Sequence, residues 1–146
     1  MAVYTPFLAG EELTAGKLNS RLIEETMEWT PFTSIGSFAS GFSAATLTPM
    51  MRKIRMLGQE RWEYKGRITV TPTNLPANTN TVVFTFNPGF RPTFEHGMQK
   101  VGGTTLFYGV RLTLQPNGQL QAGLPTAAGS NANGILLDTC YIDAPI

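Results

Sequence analysis

The sequence predicts a mainly β protein: an antiparallel β-sandwich, jelly-roll-like, preceded by an N-terminal arm and one short α-helix. Three observations carry this. Between Arg61 and Thr71, apolar Trp62, Tyr64, Ile68 and Val70 share one parity, with Gly66 among them; Arg61, Glu63, Lys65, Arg67, Thr69 and Thr71 share the other. Such alternation marks a strand with one buried and one wet face, whereas a helix would scatter the four apolar residues around its circumference. No helix-length period occurs after Met50. Glycine (15) and proline (10) break the chain into short pieces, and short strands between frequent turns fold as sandwiches.

Residues 1–13, with Pro6 and Gly10, read as an extended arm. Thr14 is placed to cap a helix, and Glu11 and Glu12 complement its positive end. Ala15, Leu18, Leu22 and Trp29 recur at helical spacing, widened by Ile23 and Met27, so a helix is expected from about Ala15 to Met27. A helix this short is marginal alone and needs a packing partner. Residues 29–50 have no clean period; they hold either a short first strand near Gly36–Phe42, the favoured reading, or a connecting arm that packs on a neighbour.

From Met50 every element reads as β. Arg52–Leu57 is a strand, Gly58-Gln59-Glu60 its turn, and Arg61–Thr71 its partner and the central strand of the sheet. Pro72–Asn80 is a polar loop. Thr81–Asn87 is a strand with Val82, Phe84 and Phe86 on one side, ended by Pro88-Gly89. Gly102-Gly103 reads as a turn and Thr104–Gln115 as a strand with Val110, Leu112 and Leu114 inward. Pro116-Asn117-Gly118 is a tight hairpin turn, Gln119–Ala122 its return, residues 123–134 a loop, and Ile135–Ile142 the last strand. The composition shift near Pro49 divides the chain into a leader, 1–49, and a β-sandwich head module, 50–146.

Charged residues are 14% of the chain, against about 25% in an ordinary soluble domain. Weakly charged, turn-rich surfaces suit an assembly better than a solitary monomer. The net charge of +1 leaves no basic footprint for nucleic acid; the one dense cluster, Arg52, Lys53 and Arg55, reads as a solvated strand end. No apolar run is long enough to cross a bilayer, and no secretory leader is evident, which places the protein in a cytosol or in something assembled there. Cys140, the single cysteine, reads as a buried structural thiol.

No catalytic residues, metal ligands or cofactor-binding motif emerge. Half of the acidic residues lie in or beside the expected helix, and no carboxylate pair is set out for hydrolysis. His96 beside Glu95 lacks further metal-ligand spacing. Strand parity assigns Trp62 and Tyr64 to the core. Phe90, Tyr108 and the 123–134 loop, with Asn131 and Asn133, are the candidates for contact with a receptor or partner, because turns carry recognition on rigid sandwiches.

The order of elements resembles the small head-type β modules of bacteriophage tail fibres, minor tail proteins and receptor-binding proteins. Phe7-Leu8-Ala9-Gly10-Glu11-Glu12-Leu13-Thr14-Ala15-Gly16-Lys17-Leu18-Asn19 looks like the opening common in phage tail and baseplate-associated proteins. Arg52-Lys53-Ile54 through Arg67-Ile68-Thr69-Val70, then Phe86-Asn87-Pro88-Gly89-Phe90-Arg91-Pro92, Val110 through Gly118, and Leu137-Asp138-Thr139-Cys140-Tyr141-Ile142 look like successive elements of such modules. The resemblance implies a non-enzymatic structural component of a phage virion, assembled in the host cytoplasm: a homotrimeric tail fibre, spike or minor tail protein. It implies attachment to other tail or capsid proteins through the N-terminal segment; the Ala15, Leu18, Leu22 and Trp29 stripe, an oligomer or attachment helix, is either packed on the β module or buried between subunits, and its position ahead of the sandwich favours the oligomer. Distal loops would then meet a host-surface glycan or protein. Two alternatives stand beside it: a soluble carbohydrate-binding, lectin-like module, and a capsid decoration or head fibre protein.

Overall fold

The computed structural model describes residues 9–12, 14–17, 23–71, 75–103, 108–128, 132–138 and 140–143. Among them the chain forms twelve strands: β1 (Ile23–Pro31), β2 (Gly36–Phe38), β3 (Phe42–Ala44), β4 (Met50–Met56), β5 (Gln59–Lys65), β6 (Arg67–Val70), β7 (Thr81–Phe86), β8 (His96–Gly103), β9 (Tyr108–Leu114), β10 (Gln119–Gly123), β11 (Gly134–Leu136) and β12 (Cys140–Asp143). A four-stranded sheet has the order β1-β4-β5-β12, and an eight-stranded sheet the order β2-β7-β10-β9-β8-β11-β6-β3. Every ladder between these strands is antiparallel, so the expected sandwich class holds.

The large sheet is curled. Its two edge strands, β2 and β3, are consecutive in sequence, and Phe38 connects to Phe42 through three residues. Four chain steps reach at most about 14 Å, while the edges of a flat eight-stranded sheet would lie roughly 34 Å apart. The edges therefore approach each other like those of a barrel. The connecting turn ties them together: Ala39 N donates to Val83 O (3.2 Å) and Thr71 N donates to Gly41 O (2.8 Å).

The small sheet is a continuation of the large one. β1 leads through a single helical turn, Phe32–Ile35, into β2; β3 leads into β4, β5 into β6, and β11 into β12. Strands β1, β4, β5 and β12 thus prolong β2, β3, β6 and β11 in the same lateral order. Four long ribbons bend together, and hydrogen bonds lace the bends. Phe32 N donates to Pro49 O (3.0 Å), Arg67 N to Leu47 O (2.8 Å), Leu137 N to Gly66 O (2.8 Å), and Gly66 N to Asp138 Oδ1 (2.9 Å).

Several expectations are corrected by this arrangement. Arg61–Thr71 is two strands in different sheets, broken at Gly66, whose φ is +90°. Its parity persists because Trp62 and Tyr64 before the bend, and Ile68 and Val70 after it, face one continuous core. Ile135–Ile142 is likewise divided, into β11 and β12. The expected helix from Ala15 to Met27 is contradicted over its second half. Ala15–Lys17 are helical, Leu18 and Leu22 lie outside the described residues, and Ile23–Pro31 is strand β1. Pairing with β4 outweighs the weak helical preference of that stretch. The first strand near Gly36–Phe42 is two short strands separated by a turn. Gly102-Gly103 belongs to β8 rather than to a turn. On β7 a bulge leaves Val83 unpaired between Val82 and Phe84, so Val83, not Val82, joins Phe84 and Phe86 inside.

The composition shift near Pro49 does not coincide with a structural seam. Phe32, Ile35 and Phe42 belong to the same core as Met51, Trp62, Phe84, Phe86, Leu112, Leu114 and Ile135. Phe32 lies 4.7 Å from Phe84 and 5.2 Å from Phe86, ring centre to ring centre, and Phe38 lies 4.9 Å from Phe84. Cys140 is buried, and its thiol donates to Met98 Sδ (2.9 Å).

The β4–β5 turn lies one residue earlier than expected, at Leu57-Gly58, with φ of 49° and 83°. Two positive values define a turn that favours Asn-Gly. Leu57 is instead 72% exposed. Leu57→Asn is expected to stabilise the protein by about 0.5–1 kcal/mol, read as a higher urea midpoint with an unchanged slope.

A candidate ligand groove on the large sheet

The outward face of β8, β9 and β10 is built from glycines and polar side chains. Antiparallel register places Gly123, Arg111 and Gln99 in one row across the three strands. Gly109 lies two residues before Arg111 on the same face. A methyl group at Gly109 would lie 2.9 Å from Gln99 Nε2, and one at Gly123 would lie 2.9 Å from Asn80 Oδ1. The Gln99 carboxamide therefore lies over Gly109 of the Arg111 strand itself, and the Asn80 carboxamide over Gly123 of the neighbouring strand β10.

A wall rises where residues 75–80 are pinned to the end of β10. Asn78 N donates to Leu124 O (2.8 Å), Ala77 bridges Leu124, and Leu75 and Leu124 are buried. The result is an open groove of about 790 Å³, lined by Asn78, Thr79, Asn80, Gln99, Arg111 and Pro125 above a floor containing Gly97, Gly109 and Gly123. That is within the usual range of ligand sites, roughly 300–1,000 Å³. Among the described residues the lining holds one formal charge, Arg111, and no carboxylate. Arg111 is 65% exposed; its nearest acid, Glu95, stands 4.0 Å away beside the groove and also accepts from Gln115 Nε2 (2.7 Å).

The small sheet differs because its charges neutralise one another. Arg52 Nη2 meets Glu63 Oε2 (2.7 Å) and Arg52 Nη1 lies 3.5 Å from Glu25; Arg61 engages both oxygens of Asp143 (2.6 and 3.2 Å) and stacks on Tyr141. Arg55 pairs with Glu24 (3.1 Å). Lys53 donates to Gly89 O (2.9 Å) and lies over Trp62 and Phe90; burial lowers its pKa, with Glu60 acting in the opposite direction. The basic cluster seen in the sequence is thus occupied by its own neighbours.

The structure disperses the residues singled out in the sequence. Ala15 is exposed. Trp29 sits on β1, with Arg52 and Lys65 over its ring. Phe90 is half-buried under Lys53, and Tyr108 is half-buried against the core. Asn133 is exposed and accepts from Arg67 Nη2 (2.7 Å), while Asn131 lies outside the described residues. None of the described ones lines the groove. Its own residues went unnoticed because β8 carries no alternation, and Asn78 and Asn80 read only as turn formers. The one available signal was Arg111, an exposed cation beside Gly109 in a strand whose opposite parity is Val110, Leu112 and Leu114.

Among the described residues, no group of three His, Cys, Asp or Glu side chains could hold a metal ion, and no helix is long and apolar enough to cross a membrane.

The fold is similar to that of a solved phage protein. The match is the crystal structure of the receptor binding protein (gp15) of Listeria phage PSA, with a TM-score of 0.60 over 89% of this chain and 71% of that one. At 11% sequence identity, the likeness is one of fold. No protein-family model matches the sequence, and no curated protein matches it.

His96 provides a pH test. Its Nε2 is buried without a hydrogen-bond partner, its ring centre lies 4.4 Å from that of Phe94 in a tilted pair, and burial lowers its pKa below 6.5. As pH falls through 6.5, the unfolded chain takes up a proton that the native state resists. This contribution is present above 6.5, declines below it, and levels off beneath the folded pKa. The thermal midpoint is therefore expected to fall between pH 7.5 and 5.5, before the carboxylates titrate, and His96→Gln should flatten that slope.

Proposed function

We propose that the chain is a non-enzymatic component of a phage tail that binds a host-surface receptor. It is carried on the virion as a homotrimer and held to other tail or capsid proteins by its N-terminal segment. The observation that carries this reading is the fold likeness to a phage receptor binding protein over 89% of the chain. The order of sequence elements points the same way. The groove adds a concave polar surface on a rigid sheet, where recognition can be built without catalytic groups.

The test is composition of the particle. An antibody against this chain should decorate the tails of purified particles in electron micrographs, and the protein should appear in their mass spectra. Label confined to the capsid would instead support a decoration protein. Absence from particles, with sugar binding retained by the free chain, would support a soluble lectin.

A further inference from the structure

We infer that the groove binds an anionic, hydroxyl-rich chain, with a carboxylate or phosphate of that chain on Arg111 and its hydroxyls on Asn80 and Gln99. This inference rests on the receptor-binding reading only for where such a chain would be met. Three features of the groove select that chemistry.

The first is a weakly compensated charge. Among the described groove residues Arg111 is the only ion, and its guanidinium is mostly exposed, with Glu95 at the limit of ion-pair distance. A guanidinium presents a planar fork of donors that matches carboxylate and phosphate oxygens. The cations on the small sheet lack that opening: Arg52 and Arg61 are held by carboxylates at 2.6–2.7 Å. The second feature is the row itself. Asn80 over Gly123 sets one carboxamide across from Arg111 on the adjacent strand, and Gln99 over Gly109 sets another two residues along Arg111's own strand. Each carboxamide offers donors and an acceptor, which is what a run of hydroxyls requires. The third is the lack of an aromatic platform. No described lining residue is aromatic, so among these residues the apolar face of a neutral sugar finds no ring to stack on, and affinity comes from charge and hydrogen bonds.

The glycines make this geometry available. Gly109 and Gly123 let the two carboxamides lie close to the sheet, and Gly97 leaves the floor open, with no atom within 4 Å of a Cβ placed there. The outward row of β9 would otherwise carry side chains that fill the groove.

Calorimetric titration of the full chain with three probes tests the inference: a hyaluronate hexasaccharide bearing carboxylates, a glycerol-phosphate oligomer bearing phosphates, and neutral chitohexaose. At least one charged probe should bind, and the neutral probe about tenfold more weakly or not at all. Which charged probe binds better separates a uronate-type from a phosphate-type ligand. Arg111→Gln should weaken the charged probe by about 10–100-fold, and Arg111→Lys should restore part of the loss. Glu95→Gln should strengthen it a few-fold by removing the competing acid. Gly123→Ala should weaken it by displacing Asn80. Because Arg111 is exposed, its variants should keep the wild-type thermal midpoint, which excludes misfolding as the cause.

The inference is overturned if chitohexaose binds as well as the charged probes, if neither charged probe binds, or if Arg111→Gln leaves their affinity unchanged. The receptor-binding reading fails separately. A chain found on particles that ignores every charged probe refutes the groove chemistry alone. A chain that binds them through Arg111 but is absent from particles refutes the virion role alone.

Discussion

Gly66→Ala should destabilise the protein by about 3–5 kcal/mol, lowering the thermal midpoint by roughly 10–15 °C. Two costs combine. Gly66 has φ +90°, a conformation in which an L side chain is strained. The added methyl would also stand 2.2 Å from Thr48 O and 2.9 Å from Leu47 O, which are backbone atoms of the adjacent bend. Moving that backbone disturbs the bond from Arg67 N to Leu47 O, and with it the register of two ribbons. Such a loss is a large part of the 5–15 kcal/mol that keeps a typical domain folded. Gly89→Ala is the control. Nothing lies within 4 Å of its methyl position, so its effect should stay within about 0.5 kcal/mol. Equal effects at the two sites would mean that the bend at Gly66 is not the constrained corner described above.

Phe84→Ala should cost about 3–5 kcal/mol. Phe84 is fully buried and has ring neighbours at 4.7 Å (Phe32), 4.8 Å (Phe86) and 4.9 Å (Phe38). Its removal opens a cavity where residues before Pro49 meet residues after it. Gly36 packs on the same ring: a methyl there would lie 2.5 Å from Phe84 Cε1. Phe84→Leu should cost markedly less, because more of the volume is kept. Urea unfolding followed by far-ultraviolet circular dichroism reads both variants. The transition of Phe84→Ala should remain single, because residues 32–44 and the later strands share one core. Two separated transitions would contradict that shared core.

Alternation made the buried face of β5 and β6 legible, and with it the burial of Trp62, Tyr64, Ile68 and Val70. The break between these strands was hidden for a physical reason. Gly66 falls on the apolar parity, and the core runs unbroken past the bend, so the pattern continues while the strand does not. The hairpin at Pro116-Asn117-Gly118 was legible because its chemistry is local. Gly118 has φ +88°, its N donates to Gln115 O (2.8 Å), and Asn117 Oδ1 accepts from Gln119 N (2.9 Å).

β1 was not legible, because the spacing of Leu18, Leu22 and Trp29 imitates a helical stripe and only tertiary pairing decides against it. β1 is also an edge strand. Exposed Glu25 and Glu28 and two register shifts keep its free edge from pairing further. Those features serve the sheet but look like poor strand sequence. The groove was least legible of all. Gln99, Arg111 and Gly123 lie on separate strands that only the β8-β9-β10 register brings into a row, and Asn80 reaches Gly123 from the segment before β7.

The most direct measurement of the central claim is competition for adsorption. Purified full chain, added in excess to host cells before the particles that carry it, should slow adsorption in proportion to the receptor sites it occupies. The Arg111→Gln variant should compete much less well. Adsorption that is unaffected by saturating wild-type chain, on cells shown to bind those particles, would contradict the receptor-binding account.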